Sequence, residues 1–249
     1  MDIAIAGGIG LIGAHVVTVA RARGHAVRIL SRREGVDVQT GVGLDDALRG
    51  ADAVIDVLNV TTTDARKAVA FFERTTGNLL AAQRRTGSGH HIALSIVGID
   101  RAPHGYYAGK LAQEEAVTAS DEPWTILRAT QFHDFAAQMH ARVGIGPLHP
   151  AVRMRTQPVE ASAVATRLIE LAEHPAHGRA RDLAGPREEE LADMMRDWAR
   201  HTERGGWMPR FALPGALGRA MRAGLLLPGP DAELRGSTFE QWLSAQPEG

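Results

Sequence analysis

The stretch IAGGIGLIG, Ile5 to Gly13, decides the fold of this chain. Three of its glycines are three residues apart, between an apolar run typical of a β-strand and a helical pattern. Glycines in this arrangement allow a tight turn at which backbone N–H groups can approach a pyrophosphate without Cβ clashes. The stretch therefore predicts a dinucleotide-binding βα unit rather than a turn without a ligand. Its candidate cofactor-binding residues are Gly7, Gly8, Ile9, Gly10, Leu11, Ile12 and Gly13.

Beyond this turn, short strand-like runs alternate with helix-length segments. The predicted strands are DIAIA from Asp2, AVRIL from Ala26, DAVIDVL from Asp52, HHIALSIV from His90 and WTILR from Trp124. Strands separated by helices form βαβ units, and their apolar centres are typical of a parallel sheet that helices cover on both faces. The predicted fold class is therefore α/β, a Rossmann-like doubly wound parallel sheet with a small C-terminal substrate-covering region.

The alternation is less regular after Arg128. Helical patterns run from Phe132 to Val143, from Glu160 to Glu173 and from Pro186 to His201, and the remainder is rich in glycine and proline. No repeat or low-complexity linker separates these segments, so we expect a single domain over residues 1–249. Within it, residues 1–130 are the predicted dinucleotide-binding core, and residues 131–156 and 186–249 are the predicted substrate-covering part.

Composition narrows the function classes. The 249 residues carry a formal net charge of -1 and no cysteine. Without a basic run, binding to nucleic acid or to a membrane surface is not expected, and no apolar stretch of about 18 residues predicts a transmembrane helix. The lack of cysteine excludes disulfides and fits a reducing compartment, and the N-terminal sequence does not resemble a signal peptide, so we expect a cytoplasmic protein. The oligomeric state stays open between monomer and homodimer.

The end of the second predicted strand indicates which dinucleotide is bound. An NAD site usually carries an acid here for the ribose 2′-OH, whereas an arginine accommodates a 2′-phosphate. This chain has Ser31, Arg32 and Arg33, and its first acid is Glu34. The pattern favours NADP(H) over NAD(H), although the two arginines could also be ordinary surface charges.

Both tyrosines and one of the two lysines lie in PHGYYAGKLAQEE, Pro103 to Glu115. Tyr106 and Lys110 are four residues apart and share one face of a predicted helix. A nearby ammonium lowers the pKa of a tyrosine, so such a pair can act as general acid in one direction and general base in the other. Ser95 ends the fourth predicted strand, where it is expected to face the dinucleotide crevice. Tyr107 is expected to pack or to line the substrate cleft.

The order of these motifs resembles the short-chain dehydrogenase/reductase superfamily, and most closely its atypical, NmrA-like branch of NAD(P)H-binding proteins. The resemblance rests on GGIGLIG, Ser95, Tyr106-x-x-x-Lys110 and ILRATQF after the fifth strand, and it covers about the first 185 residues. Many members of that branch lack the tyrosine or the serine and are not reductases. This chain keeps all three residues, which favours catalysis.

The resemblance implies a role for each of these residues. Tyr106 would be the acid/base, Ser95 would hydrogen-bond the substrate carbonyl, and Lys110 would bind the nicotinamide ribose and lower the Tyr106 pKa. Asn78, in TTGNLLAA, would hold a water molecule in the proton relay. The other implied cofactor contacts are Asn59 at the adenosine-side ribose and Ala129, Thr130, Gln131 and Phe132 at the nicotinamide.

The histidines do not predict a metal site. His90, His91 and His104 have no acid or further histidine at helical ligand spacing, so they are interpreted as strand-end and loop residues. His133 follows Phe132 at the expected cleft, where it either touches substrate or is a polar residue at a helix start.

The leading hypothesis is an NADPH-dependent reductase, or an alcohol dehydrogenase in reverse. Its partner would be a small-molecule substrate, a small to medium and fairly apolar carbonyl compound. Two alternatives stay open. One is an NADP(H)-binding redox sensor or regulatory protein without turnover. The other is a non-reductive epimerase, dehydratase or isomerase with a tightly held dinucleotide.

Overall fold

A computed structural model describes residues 1–247, and a parallel β-sheet lies at its centre. The strands, in chain order, are β1 Asp2–Ala6, β2 Ala26–Leu30, β3 Ala53–Asp56, β4 His90–Ile96, β5 Trp124–Ala129, β6 Ala151–Val152, β7 Arg155–Thr156, β8 Gly178–Arg179, β9 Leu183–Ala184, β10 Glu189–Glu190, β11 Arg210–Phe211 and β12 Glu233–Leu234. Eight of them form the main sheet, and β6 with β11 and β7 with β10 form two small ribbons.

The order of strands in the main sheet is β12-β9-β5-β4-β3-β1-β2, with β8 also paired to β5. All of these pairs are parallel. The chain adds β2 on one side of β1 and then crosses to add β3 on the other side, which creates a switch point at β1. The carboxyl ends of β1 to β5 therefore share one edge. The predicted α/β Rossmann-like fold class is confirmed.

Helices cover both faces of the sheet. They are α1 Leu11–Ala22, α2 Leu44–Leu48, α3 Ala65–Thr86, α4 Tyr106–Thr118, α5 Phe135–Val143, α6 Ala161–Ala172, α7 Leu191–His201, α8 Gly215–Arg222 and α9 Phe239–Ser244, and a short 3₁₀ helix spans Arg32–Glu34. α1 packs with α6 on one face, and α2, α3 and α4 pack side by side on the other. None of the helices within residues 1–247 combines the length and the apolar composition needed to cross a membrane.

The pleat of β1 shows why two helical layers form. Ile3 and Ile5 belong to the core beneath α1 and α6, whereas Ala4 and Ala6 belong to the core beneath α2 and α3. Successive side chains of a strand point to opposite faces, so a strand that is apolar at every position needs cover on both. Each fully buried isoleucine contributes about 1.5–3 kcal/mol to this arrangement.

The later chain builds a further core beside the sheet. Helices α5, α7, α8 and α9 and strand β6 pack around Met194, Met195 and Met221, and Tyr107 of α4 joins them. The segment from residue 186 also returns β12 to the main sheet. That residues 131–156 and 186–249 cover a substrate stays a prediction.

Two helix starts differ from the sequence-based expectation. α5 begins at Phe135 rather than Phe132, because Phe132 bridges to Val159 and the His133 N–H donates to the Val159 carbonyl at 3.2 Å. α7 begins at Leu191 rather than Pro186, because Glu189 and Glu190 pair with β7 as β10. Long-range pairing overrides helical propensity at both points.

Candidate functional site

The glycine loop connects β1 to α1 by a close backbone packing. Gly7 has a φ of 87°, in the left-handed region, and a Cβ there would lie 2.8 Å from the carbonyl oxygen of Val57. A Cβ on Gly13 would lie 2.0 Å from the Gly7 carbonyl oxygen. These two glycines are required by packing, since no side chain fits at either point.

Gly10 differs from its two neighbours. It is exposed, its φ is -81°, and within residues 1–247 only the Gly7 carbonyl oxygen, at 3.3 Å, lies near the position of a Cβ. No side chain caps the first turn of α1. The backbone donors of Leu11, Ile12 and Gly13 at this positive helix end are thus available to an anion.

The remaining loop residues divide into two groups. Ile9 and Leu11 are 69% and 41% exposed, so two large apolar side chains lie at the surface of the crevice. Gly8 and Ile12 are buried, and Ile12 packs in the core beneath α1. The loop fits the phosphate part of a dinucleotide, because packing explains Gly7 and Gly13 but not the open backbone at Gly10.

The residues after β2 lie at the neighbouring strand end. Ser31 is buried, and its carbonyl accepts hydrogen bonds from the N–H groups of Glu34 and Val36, at 2.9 and 3.0 Å. Arg32 and Arg33 are exposed on the 3₁₀ helix, and neither forms an ion pair with another residue in 1–247. Two uncompensated guanidinium groups therefore stand beside the glycine loop.

The end of β3 forms the other side of the crevice. Val57 packs against Gly7, and Asn59 follows it as an exposed residue. Asp56 is fully buried, and its Oδ1 accepts the N–H of Leu58 at 3.0 Å. The structure thus brings Asn59 to the edge where the glycine loop lies, and a contact of Asn59 with the cofactor stays a prediction.

Helix α4 lies against α3 through Gly109, where a Cβ would lie 2.7 Å from Ala68. This close packing buries Lys110, which is 3% exposed. The Lys110 ammonium donates to the Leu94 carbonyl at 2.5 Å and to Gln113 Oε1, and it lies 4.7 Å from the centre of the Phe72 ring. Burial lowers the pKa of Lys110 to about 8.

Tyr106 shares the buried face of α4 with Lys110. Its ring packs edge-on against Phe72 and Tyr107, at centroid distances of 5.8 and 6.1 Å. Burial raises the pKa of Tyr106 well above its ordinary value, the charge of Asp56 adds to this, and Arg142 opposes it. The expected lowering by Lys110 is not part of this arrangement, because the ammonium is bonded elsewhere.

Tyr107 belongs to the core of the later chain. It is 8% exposed, and burial raises its pKa to about 12. Its neighbours there include Ile99 and Ala136. Tyr107 therefore packs in this core, which is one of the two roles that the sequence predicted for it.

Ser95 lies beneath α4 at a buried ion pair. The Glu114 carboxylate accepts Arg128 at 2.8 and 2.7 Å and Arg179 at 2.7 Å. Burial raises the pKa of Glu114, but these arginines outweigh it and the pKa is lowered. The Ser95 hydroxyl is buried beside this carboxylate and has no hydrogen bond of ordinary length with any residue in 1–247. The structure therefore places Ser95 at Glu114, and the Ser95 hydroxyl forms no hydrogen bond with Tyr106.

Asn78 is engaged away from Tyr106 and Lys110. Its amide nitrogen donates to the carbonyls of Val38 and Gln39, at 2.9 and 3.0 Å. These bonds hold the segment after the 3₁₀ helix against α3. The asparagine has a structural role here that its helical context did not reveal.

The segment after β5 runs along the same sheet edge. Ala129 and Thr130 are buried, and the Thr130 hydroxyl donates to the Gln157 carbonyl at 2.6 Å. Gln131 Oε1 accepts from Thr156 at 2.9 Å, while its buried amide also lies at the Tyr107 hydroxyl, and its Nε2 has no hydrogen bond of ordinary length with any residue in 1–247. Phe132 is half-buried. The polar groups of Gln131 and Thr130 thus hold this segment to Thr156, Gln157 and Tyr107.

The histidines have structural partners. His90 Nε2 lies 2.8 Å from Thr125 Oγ1, and His91 Nδ1 lies 2.6 Å from Gln83 Oε1. His133 is buried, contacts the Ser237 carbonyl at 3.1 Å and packs against Trp242. His104 is exposed in the loop before α4. Within residues 1–247 no group of three or more potential metal-binding side chains occurs.

Three buried polar residues at this site, Asp56, Gln113 and Glu114, are not predicted by the sequence motifs. Gln113 Nε2 donates to Asp56 Oδ2 at 2.8 Å, which links α4 to the end of β3. For two of them the sequence does contain an indication, because Gln113 and Glu114 follow Lys110 by three and four residues and so share its helix face.

A family model described as NAD(P)H-binding matches residues 7–175, more than half of the chain. The matched range includes the glycine loop, Tyr106 and Lys110. Among curated proteins, none matches this sequence significantly.

Several solved structures share the fold. MoeE5 in complex with UDP-glucuronic acid and NAD has a TM-score of 0.75 at 14% identity, over 99% of this chain and 97% of that chain. A UDP-glucose 4-epimerase from Thermus thermophilus, in complex with NAD, has a TM-score of 0.66 at 19% identity, over 98% and 92%. A short-chain dehydrogenase/reductase superfamily protein from Agrobacterium tumefaciens with bound NAD has a TM-score of 0.67 at 19% identity, over 98% and 95%.

Because these sequence identities are below 20%, the solved structures show only that the fold is shared. The family of this chain is shown by the family model. The glycine loop, the switch point beside it and the Tyr106–Lys110 face lie together at one edge of the sheet. This chain belongs to the NAD(P)H-binding family, as its resemblance to a branch of NAD(P)H-binding proteins predicted.

Proposed function

We propose that this protein is an NADPH-dependent oxidoreductase that reduces the carbonyl group of a small to medium, fairly apolar compound, or oxidises the corresponding alcohol. The observation that carries this proposal is the placement of Tyr106 and Lys110 on one face of α4, at the sheet edge that bears the glycine loop. The coarser role, an oxidoreductase-like protein that binds a dinucleotide, follows from the family.

The residues at the crevice fit NADP(H) in two places. The open backbone at Gly10 and the uncapped first turn of α1 would hold the pyrophosphate. The exposed and unpaired Arg32 would hold the 2′-phosphate, with Arg33 beside it. When bound, the nicotinamide supplies the hydride that the carbonyl carbon receives.

Tyr106 would supply the proton in the reducing direction. Its hydroxyl donates to the carbonyl oxygen as that oxygen gains negative charge, and solvent then returns a proton to the tyrosinate. The raised pKa keeps Tyr106 protonated at neutral pH, which suits a proton donor. In the oxidising direction Tyr106 must lose its proton, and Lys110, one turn away, would stabilise the tyrosinate only after its ammonium leaves the Leu94 carbonyl and Gln113.

The apolar cluster beside Tyr106 supports an apolar substrate. Leu111, Phe135 and Met139 pack at the border between α4 and the later chain. Apolar walls with few polar groups are typical of small-molecule sites. All of these groups belong to one chain, so a monomer and a homodimer are both compatible with the proposal.

A redox sensor without turnover is the second candidate. Three observations support it: Ser95 lies at Glu114, the Lys110 ammonium is bonded to Leu94 and Gln113, and the pKa of Tyr106 is raised rather than lowered. In this alternative the protein would bind NADP(H) and signal through a partner.

The decisive experiment is a panel of carbonyl compounds assayed by loss of NADPH absorbance. Turnover of an apolar aldehyde or ketone supports the reductase. Tight NADP(H) binding without consumption across the panel contradicts it and favours the sensor. Cofactor that survives purification and is never consumed, together with conversion of a sugar nucleotide, indicates an epimerase instead.

A further inference from the structure

A chain of buried polar groups connects α4 to the end of β3. The Lys110 ammonium donates to Gln113 Oε1 and, at 2.5 Å, to the Leu94 carbonyl. Gln113 Nε2 donates to Asp56 Oδ2 at 2.8 Å, and Asp56 Oδ1 accepts the Leu58 N–H at 3.0 Å. The three side chains are 3%, 0% and 0% exposed, in the order Lys110, Gln113 and Asp56.

Burying these groups is costly unless each is compensated. An isolated cation in a protein interior would lose its proton, and an isolated carboxylate would gain one. Gln113 bonds to both partners with its two amide atoms, so neither the Lys110 ammonium nor the Asp56 carboxyl group is buried without a hydrogen bond. The bonds to Leu94 and Leu58 also tie the chain to β4 and to the turn after β3.

The charged groups around Lys110 identify Asp56 as its counter-ion. On its own helix, Glu114 is already paired with Arg128 of β5 and Arg179 of β8. From α3 the Phe72 ring faces the ammonium, and His91 of β4 is bonded to Gln83 of that helix. Tyr106 stands one turn before Lys110. Asp56 has no cation within ion-pair distance in the described part of the chain.

We propose that Asp56 and Gln113 are positioning residues for Lys110. Gln113 holds the ammonium at the carboxyl end of β4, and Asp56 keeps the ammonium charged so that it can bind the cofactor ribose. The contact of Lys110 with the ribose rests on the proposed function. Control of the Lys110 charge by Asp56 rests on the buried hydrogen-bond chain through Gln113 and can be tested without any substrate.

The chain contains only two lysines, Lys67 and Lys110, which makes a direct measurement possible. A sample labelled with carbon-13 at the lysine ε-carbon has two signals, and the variant Lys110→Arg assigns them. Lys67 is exposed on α3, so its signal serves as the internal reference for the titration. Lys110 should titrate near 8, the value to which burial lowers its pKa.

Two variants separate positioning from packing. Asp56→Asn removes the counter-ion with almost no change in shape, so the Lys110 midpoint should fall by about 1 pH unit or more. Gln113→Met keeps the side-chain length and removes both hydrogen bonds, and it should lower the midpoint as well. Asp46→Asn, on the exposed face of α2, is the matched control and should leave both lysines unchanged.

Cofactor titrations extend the test to function. The affinity of the wild type for NADPH should fall as pH rises through the Lys110 midpoint, because the neutral amine loses a charge-assisted bond. In Asp56→Asn the fall should move to lower pH. If Lys110 titrates together with Lys67, or if neither Asp56→Asn nor Gln113→Met moves its midpoint, the proposal is wrong.

The outcomes distinguish the two proposals. A Lys110 midpoint that depends on Asp56, in a protein without carbonyl turnover, overturns the proposed function and leaves the positioning role intact. Carbonyl turnover in a protein whose Lys110 midpoint does not depend on Asp56 overturns the positioning role and leaves the proposed function intact. If Asp56→Asn does not fold, the wild-type titration and Gln113→Met still decide.

Discussion

Gly13 of α1 lies so close to Gly7 that a methyl group on its Cα would come within 2.0 Å of the Gly7 carbonyl oxygen. The start of the helix is therefore pressed onto the strand-to-helix turn. Gly10 lies between them in sequence, yet it has no such contact. Two of the three glycines serve packing, and the third leaves backbone open to a ligand.

Substitutions at these glycines should separate folding from cofactor binding. Gly10→Val is compatible with the observed φ of -81°, and its Cβ would lie 3.3 Å from the Gly7 carbonyl oxygen, so it should lower the melting temperature only slightly while blocking the pyrophosphate. Gly13→Ala should lower the melting temperature, because its Cβ has no space. Thermal melts and fluorescence titrations with NADPH check both. Unchanged NADPH affinity in Gly10→Val would contradict the loop assignment.

Arg32 should determine the preference for NADPH. A charge-assisted contact to the 2′-phosphate contributes roughly 1.5–3 kcal/mol, or about 10- to 100-fold in affinity. Arg32→Ala should lose that factor for NADPH and keep its affinity for NADH. Arg200→Ala, which removes another exposed arginine from α7, is the control. Equal affinity of the wild type for the two cofactors would refute the preference.

The two adjacent tyrosines provide a matched test of catalysis. Tyr106→Phe keeps the ring that packs on Phe72 and should lower kcat by about 10²–10⁴-fold, the usual contribution of general acid catalysis. Tyr107→Phe removes a hydroxyl from the core of the later chain and should change kcat little. Rates at saturating NADPH check this once a carbonyl substrate is known. The opposite result would transfer the role to Tyr107, and no effect of either would favour the sensor.

His90 should make the fold sensitive to acid. Burial lowers the pKa of His90 to about 4, below the unfolded value of about 6.5. Between these values the unfolded chain binds a proton that the folded chain does not, so stability falls as pH decreases from about 6.5 to 4. His90→Gln should show a shallower decline in urea unfolding across this range. His91, His133 and His140, whose pKa values burial also lowers, contribute to the decline that remains. An identical decline would show that His90 does not cause it.

The Glu114 ion pair should be essential for stability. Glu114→Gln removes the buried counter-ion of Arg128 and leaves this guanidinium paired only with the more exposed Asp100, at 3.1 Å, so the free energy of unfolding should decrease by about 3 kcal/mol. Asp45→Asn removes an exposed carboxylate that also binds an arginine, Arg85, and should have a small effect. Denaturant unfolding of both variants measures the difference. If the two variants lose similar free energies of unfolding, the buried ion pair of Glu114 contributes no more to stability than the exposed pair of Asp45.

Sequence alone determined the elements near the glycine loop. The predicted strands at Asp2 and Ala26 match β1 and β2, and the glycine spacing predicted the turn between β1 and α1. These features depend on neighbours within a few residues, because a strand period, a capping residue or a glycine turn is set by local backbone preference. The shared helix face of Tyr106 and Lys110 follows from the same local geometry.

The tertiary structure alone decided where the polar side chains of the site point. Ser95 lies at Glu114, Asn78 binds the carbonyls of Val38 and Gln39, and Lys110 connects through Gln113 to Asp56. Apart from the step between Lys110 and Gln113, these contacts join residues far apart in the chain. A buried charge takes the partner that packing brings to it, and sequence spacing does not specify that partner.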